Sequence, residues 1–257
     1  MIIKKSPQEI EKIAAAGAIH AKTLKLIESK IRPGVTTAEL DEAAEKFIRS
    51  QGASPSFKGY RGFPGSICAS PNEMVVHGIP GPYELQRGDI LSVDIGVTLD
   101  GWVADAARTF PVGEISPVAA KLLSVTEEAL FAAVEQCRPR NRLGDVSHSV
   151  QAVVEEQGLS VVRSLVGHGI GRDMHEDPQI PNFGEPGRGP LLEEGMVFAV
   201  EPMVTAGRQA VRMGADHWAI YAQDGSLAAH FEFTVAITAD GPRVLTPWHL
   251  DRARAAA

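Results

Sequence analysis

The sequence predicts an α+β fold made of two similar halves, and three observations carry that expectation. A pair of capped amphipathic helices near the start is followed by a second pair from Ser116 onward. The apolar stripe of the second helix recurs in the fourth at one constant offset: Leu40 as Val146, Ala44 as Val150, Phe47 as Val153 and Ile48 as Val154. Gln51-Gly52 returns unchanged as Gln157-Gly158. Finally, a glycine-led apolar run ending in a carboxylate, GDILSVD at 88–94, recurs within one residue of that offset as GMVFAVE at 195–201. Two matches in step favour a real duplication, and a period this long means two related halves rather than a solenoid. The expected architecture joins sheets from both halves and covers one side with helices.

Each element has a local reason. Ser6-Pro7-Gln8-Glu9 reads as a capping box with proline at the first helical position, opening a helix that runs to about Lys30. Pro33-Gly34 breaks the chain. Thr36 and Glu39 then cap a second helix ending at Gly52, with Leu40, Ala44, Phe47 and Ile48 on its buried stripe. Ser116-Pro117 opens a third helix, Pro139 follows it, and a fourth runs from about Asp145 to Gly158. After Asp94, the turn Asp100-Gly101 marks a hairpin whose return strand carries Asp105. The run Phe231 to Thr238 reads as a strand containing Glu232. The chain is expected to form one unit over residues 1–257, with its halves at about 6–112 and 116–250.

Composition bounds the function without naming it. A hydrophobic fraction of 44% and a charged fraction of 22% are those of an ordinary globular protein. The net charge of −7 argues against nucleic acid as a partner, because phosphate recognition needs a basic face. No apolar run is long enough to span a bilayer, and none follows Lys4 and Lys5 as a secretion signal requires. Cys68 and Cys137 are far apart and lack metal-binding spacing, which suits a reducing, cytoplasmic setting.

The residues that carry chemistry are acids and histidines. Asp94 and Asp105 fall on neighbouring strands of one hairpin, within reach of a single ion. Gly167-His168-Gly169 places a histidine where glycines let the backbone approach closely. Glu201 precedes Pro202, and Glu232 sits in an apolar run where an unpaired carboxylate costs several kcal/mol unless a cation faces it. A lone aspartate at a strand end is usually a turn or solvent residue. As a set, however, four carboxylates balance two divalent cations. Paired cations lower the pKa of water and clamp the attacking and accepting oxygens. An oxygen-rich set with one imidazole suits manganese, iron or cobalt better than a structural zinc site. His20, His148, His217 and His249 have no motif context and read as surface or core residues.

With its surrounding strings, this constellation resembles the type I methionine aminopeptidases. The strings are VVHGIP at 75–80, GHGIGRDMHEDPQIPNFGEPG at 167–187 and MVFAVEPMV at 196–204. The resemblance runs from about residue 6 to 245. It implies the pita-bread fold and removal of the initiator methionine from nascent proteins by water attack at a site holding two divalent ions. Cobalt, manganese, iron, zinc or nickel all remain open. By the family pattern Asp94 holds the first ion, His168 and Glu201 hold the second, and Asp105 and Glu232 bridge both. His77 matches the histidine that contacts the peptide near the scissile bond, and His175 the one that binds the substrate carbonyl. Glu201 gains a further part as proton acceptor from the attacking water. Tyr60, Phe63, Cys68, Met174 and Trp218 match the wall of the methionine pocket, where a thioether packs well against rings. Aromatic residues taken alone are more often plain core.

Several positions depart from the family pattern: Met174 where an aromatic residue is usual, Val103-Ala104 where His-Gly is usual, and His230 and Phe233 around Glu232. On a strand His230 would share a face with Glu232 and support it. The resemblance further implies nascent N-termini as partners, transient contact with the ribosome, and a monomer. The rival readings are a peptidase of the same fold cleaving before proline, and a non-catalytic binding protein. The first usually carries a large extra N-terminal domain, whereas Ser6 opens the fold almost at once. The second typically loses ligands.

Overall fold

The computed structural model describes residues 1–249. Two successive series of elements make up the fold. The first comprises α1 (Pro7–Lys30), α2 (Thr37–Ser50), β1 (Ser54–Pro55), β2 (Cys68–Pro71), β3 (Met74–Val76), β4 (Ile90–Leu99) and β5 (Trp102–Pro111). The second comprises α3 (Pro117–Gln136), α4 (Leu143–Glu156), β6 (Ser160–Val161), β7 (Val166–Gly169), β8 (Glu176–Pro181), β9 (Val197–Val200) and β10 (Met203–Thr205). It continues through β11 (Val211–Met213), β12 (Ile220–Ala222), β13 (Ala228–His230), β14 (Phe233–Thr238) and β15 (Gly241–Val244).

The helices begin where the caps place them. Ser6 and Thr36 each complete a capping box, with Glu9 and Glu39 reaching back to the cap backbone. Leu40, Ala44 and Ile48 of α2 are buried and Phe47 is half-buried; Val146, Val150 and Val154 of α4 are buried and Val153 is half-buried. The duplicated pattern thus extends to the degree of burial. Helix α4 starts at Leu143 rather than Asp145, because the Asp145 carboxylate turns back to accept the Arg142 N–H at 2.7 Å. Helix α1 lies close against the segment that follows β15 at Gly17, where a Cβ would stand 1.9 Å from the Leu245 carbonyl oxygen.

The first half folds as an antiparallel sheet ordered β1-β4-β2, with β5 also on β4. Asp100 and Gly101 both take positive φ, as the tight turn between β4 and β5 demands. The second half supplies the five-stranded sheet β15-β14-β9-β7-β8 and a smaller sheet β13-β10-β6. One small sheet crosses between halves, since β3 pairs with β12.

Two expectations about strands need correction. Asp94 does not end its strand: β4 continues to Leu99, so Asp94 lies mid-strand opposite Cys68 and Ala107. Glu232 is not inside a strand, because β13 stops at His230 and β14 starts at Phe233. The long hairpin of the first half has a broken counterpart here. Pro202, which has no N–H, separates β9 from β10, and Phe231-Glu232 separates β13 from β14 directly across from it.

The halves meet along β5. The Thr234 hydroxyl accepts from the Asp105 N–H at 3.0 Å and donates to the Asp105 carbonyl at 2.7 Å. The Glu232 N–H donates to the Ala107 carbonyl at 2.9 Å. The Thr109 hydroxyl completes the seam, donating to the His230 carbonyl and accepting from the His230 N–H, both at 2.9 Å. Threonine hydroxyls thus stand in for strand amides on both sides of a local twofold relation.

Candidate metal centre

The acids converge where the interrupted strands face β5. Asp105, on β5, points the same way as Gly96, its cross-strand partner. A Cβ at Gly96 would come within 3 Å of Met174, Phe57 and Ser56, so glycine there leaves room for those side chains on the face that carries the acids. Glu201 follows β9, and its carbonyl accepts from the Asn182 amide at 3.1 Å. Glu232 is held from both ends of its peptide, by the Ala107 carbonyl and by the Trp248 indole N–H, which donates to the Glu232 carbonyl at 3.1 Å. His168, on β7, brings its Nδ1 to 2.9 Å from the Gly169 carbonyl. With the proton on Nδ1 and donated there, Nε2 is left as a bare nitrogen facing the acids.

One ligand atom each from Asp105, His168 and Glu232 lies within 4.8 Å of the other two. His168 Nε2 is 3.5 Å from Glu201 Oε1, and Asp94 adjoins Asp105 across the hairpin. All five residues named from the sequence therefore line one cavity of about 200 Å³.

The electrostatics demand a counter-charge. Burial raises the pKa values of Asp94, Asp105, Glu201 and Glu232, and the negative neighbours push Asp94, Glu201 and Glu232 well above the ordinary carboxylate range. Asp94 Oδ1, Asp105 Oδ1 and Glu232 Oε1 are buried and make no hydrogen bond among the described residues. Among the described residues no lysine lines the cavity, and the one arginine that does, Arg61, is exposed. Buried charges of one sign with orphaned oxygens are costly alone and are stable facing cations. Burial lowers the His168 pKa and keeps the imidazole neutral, as a ligand must be. Cys68 stands opposite Asp94, but burial and the nearby acids raise its thiol pKa far above neutrality, so it offers no thiolate. The donor set fits divalent cations that prefer oxygen.

Two further histidines flank the acids. His77 takes a left-handed backbone, φ 60°, before Gly78, whose N–H donates to the Ser70 hydroxyl at 3.0 Å. A Cβ at Gly78 would lie 2.2 Å from the Ala69 carbonyl oxygen, so the turn that presents His77 depends on glycine. His175 stacks on Tyr60, and its Nδ1 is 2.9 Å from the Tyr60 hydroxyl. The His175 and His168 rings are 4.3 Å apart. Burial, then the neighbouring His168, Arg61 and His77, brings the His175 pKa down to about 3, so the ring is neutral at pH 7. When Tyr60 donates to Nδ1, the remaining ring proton sits on Nε2.

Of the expected pocket wall, Tyr60, Phe63, Cys68 and Trp218 line the cavity, and Phe63 meets Trp218 edge to face at 5.1 Å. Met174 is buried and is not among the lining residues; it lies beside Phe57 over Gly96, on the face of β4 that carries Asp94. Phe57, Val76, Leu165, Val166 and Met203 also line the cavity, and the sequence reading missed them. Three of these flank recognised motifs: Val76 precedes His77, Val166 stands two before His168, and Met203 stands two after Glu201. That adjacency was the available signal.

His230 reaches the acids through the break after β13 rather than along a strand face. Its Nε2 is 3.6 Å from Glu201 Oε2 and 3.8 Å from Glu232 Oε2. Burial, then His77, brings its pKa down to about 3. Val103 and Ala104 are buried, and Val103 donates its N–H to the Gly171 carbonyl.

Residues 11–239 match metallopeptidase family M24. The chain is 56% identical over 247 residues to a methionine aminopeptidase of Clostridium acetobutylicum, covering 96% of this chain and 99% of the relative. Among solved structures it resembles a methionine aminopeptidase from Rickettsia prowazekii, with TM-score 0.94, 41% identity, and coverage of 96% of this chain and 100% of the other. Likeness to a prolidase from Pyrococcus furiosus is weaker, with TM-score 0.77 and 25% identity, and it takes in 95% of this chain and 65% of that one.

Proposed function

The chain belongs to the methionine aminopeptidases of metallopeptidase family M24, and from that premise we propose that it removes the initiator methionine from nascent proteins and peptides. The pita-bread fold follows from the same membership. The observation that carries the reading is the convergence of four carboxylates, buried at Asp105 and Glu232 and half-buried at Asp94 and Glu201, and the bare nitrogen of His168 beside two neutral histidines.

In this reading Asp94 holds one divalent cation, His168 and Glu201 hold a second, and Asp105 and Glu232 serve both. When bound, the cations supply Lewis acidity to the scissile carbonyl and to the attacking water. The residues of the chain do the rest. Glu201 takes the proton from the attacking water. His175 donates its Nε2–H to the substrate carbonyl, a bond that strengthens as negative charge builds on that oxygen. Tyr60 sets the ring tautomer that makes this donation possible. His77 contacts the peptide near the bond that breaks and moves a proton toward the leaving amine. Tyr60, Phe63, Cys68 and Trp218 receive the methionine side chain, and Met174, beside the cavity-lining Phe57, packs against that wall.

The molecule works as one catalytic unit, as a monomer in the cytoplasm that meets the ribosome transiently. No helix among the described residues is long and apolar enough to cross a membrane. Cleavage before proline is not favoured, since the methionine aminopeptidases match this chain more closely and over their full length. Turnover of Met-Gly-Met against a Gly-Pro peptide, with manganese or cobalt added, tests the proposal. Release of methionine from the first alone is expected. Preferential cleavage of the second, or equal release after full removal of metal, overturns it.

A further inference from the structure

Lys5 and Glu176 form an ion pair whose side chains are 3% and 4% exposed, with Nζ 2.5 Å from Oε2. Such burial needs further hydrogen bonds to be tolerated, and both groups have them. Lys5 Nζ also donates to the Ile3 carbonyl at 3.0 Å. The other oxygen of Glu176 accepts from the backbone N–H groups of Arg172 and Asp173, at 2.9 and 3.4 Å. The carboxylate thereby closes the turn 172–176, which carries His175.

The pair is also tied to the sheet. The Lys5 N–H donates to the Gly195 carbonyl at 2.7 Å, at the head of the run leading into β9 and Glu201. Glu176 opens β8 opposite Gly169, at the irregular pairing beside His168. A Cβ at Gly171 would lie 2.4 Å from Lys5 Cε and 2.7 Å from Glu176 Oε1, so this glycine of the GHGIG string makes room for the pair. Tyr60 secures the His175 ring from one side. The Lys5–Glu176 pair secures its backbone from the other.

We infer that Lys5 and Glu176 are positioning residues for His175: their buried pair fixes the turn that aims the imidazole at the substrate carbonyl. The inference rests on the role of His175 proposed above. Neither side chain lines the cavity, so any effect on catalysis passes through the turn.

The test uses manganese-loaded full-length enzyme and Met-Gly-Met. Lys5→Met is expected to lower kcat/KM at least tenfold with metal content unchanged. In a His175→Ala background the same substitution is expected to lower it less than twofold, because the residue being aimed is already gone. Amide exchange at Arg172 and Asp173 is expected to quicken at least tenfold. Should Lys5→Met fail to fold, Lys5→Met/Glu176→Gln carries the same comparison, since it leaves no lone charge buried. An equal loss in both backgrounds, or a folded variant within twofold of the parent, overturns the inference. Failure of the paired variant to fold assigns the pair to stability alone and overturns it too. A parent enzyme that releases no methionine would instead overturn the reading of the reaction.

Discussion

The hydroxyl of Thr234 satisfies both backbone groups of Asp105, accepting from its N–H at 3.0 Å and donating to its carbonyl at 2.7 Å. A side chain of one half thereby does for a central acid of the other what a neighbouring strand would do. Thr109 repeats the arrangement at His230. The seam fixes the distance between β5 and the segment bearing Glu232, on which any shared cation depends.

Thr234→Val keeps the shape but leaves two buried backbone groups without partners. It is expected to destabilise the metal-free protein by roughly 2–4 kcal/mol and to weaken metal retention, while Thr234→Ser stays near the parent. Urea titration and metal-binding calorimetry check both. An unaltered valine variant would show that the seam contributes nothing.

Asp105→Asn removes one charge from a carboxylate placed between the two proposed cation positions. Activity is expected to vanish and bound metal to fall below two equivalents. Chelation of the parent should likewise abolish turnover, and readdition of manganese or cobalt should restore it. Parent-level turnover by the asparagine variant would be incompatible with a shared site.

His77→Ala is expected to lower kcat by about a hundredfold or more, the usual scale for a proton-transfer residue, with metal content near normal. Loss of metal in that variant would reassign His77 to the ligands. Tyr60→Phe keeps the ring stacked on His175 but removes the hydroxyl. A fall in kcat/KM of roughly tenfold, about one net hydrogen bond, is expected from steady-state kinetics.

His20 is fully buried on α1, with Nε2 2.8 Å from the Ala106 carbonyl, and burial brings its pKa down to about 4. The unfolded chain takes up this proton below about pH 6.5, but the folded chain only near 4. The unfolded state therefore binds more protons across that window, and stability falls as pH drops through it. The accumulated loss is about 3 kcal/mol. His20→Leu should flatten the pH dependence of the urea midpoint between pH 6.5 and 4, compared with the parent in metal-free buffer. Identical pH profiles for the two proteins would contradict this.

Much was legible before any coordinate. Caps and breakers are local chemistry, so Ser6, Thr36 and Asp100-Gly101 announced their elements directly. The duplication was visible because both halves bury the same helical stripe. The four acids and one imidazole stood out because a carboxylate in an apolar run needs a reason. Glu232 was read as strand because its neighbours are apolar, yet its N–H bonds across the seam to Ala107 instead of within a hairpin.

By itself, the sequence determined the helices, the turn chemistry, the twofold repeat and the identity of the acids and histidines. These depend on neighbours a few residues away or on periodicity. Only the tertiary structure decided which strand of one half lies against which segment of the other. It also decided that threonine hydroxyls close that seam, and that Tyr60 and the Lys5–Glu176 pair hold His175 from two sides. Periodicity tells a side chain which face to take, but it carries no record of what the rest of the chain brings opposite that face.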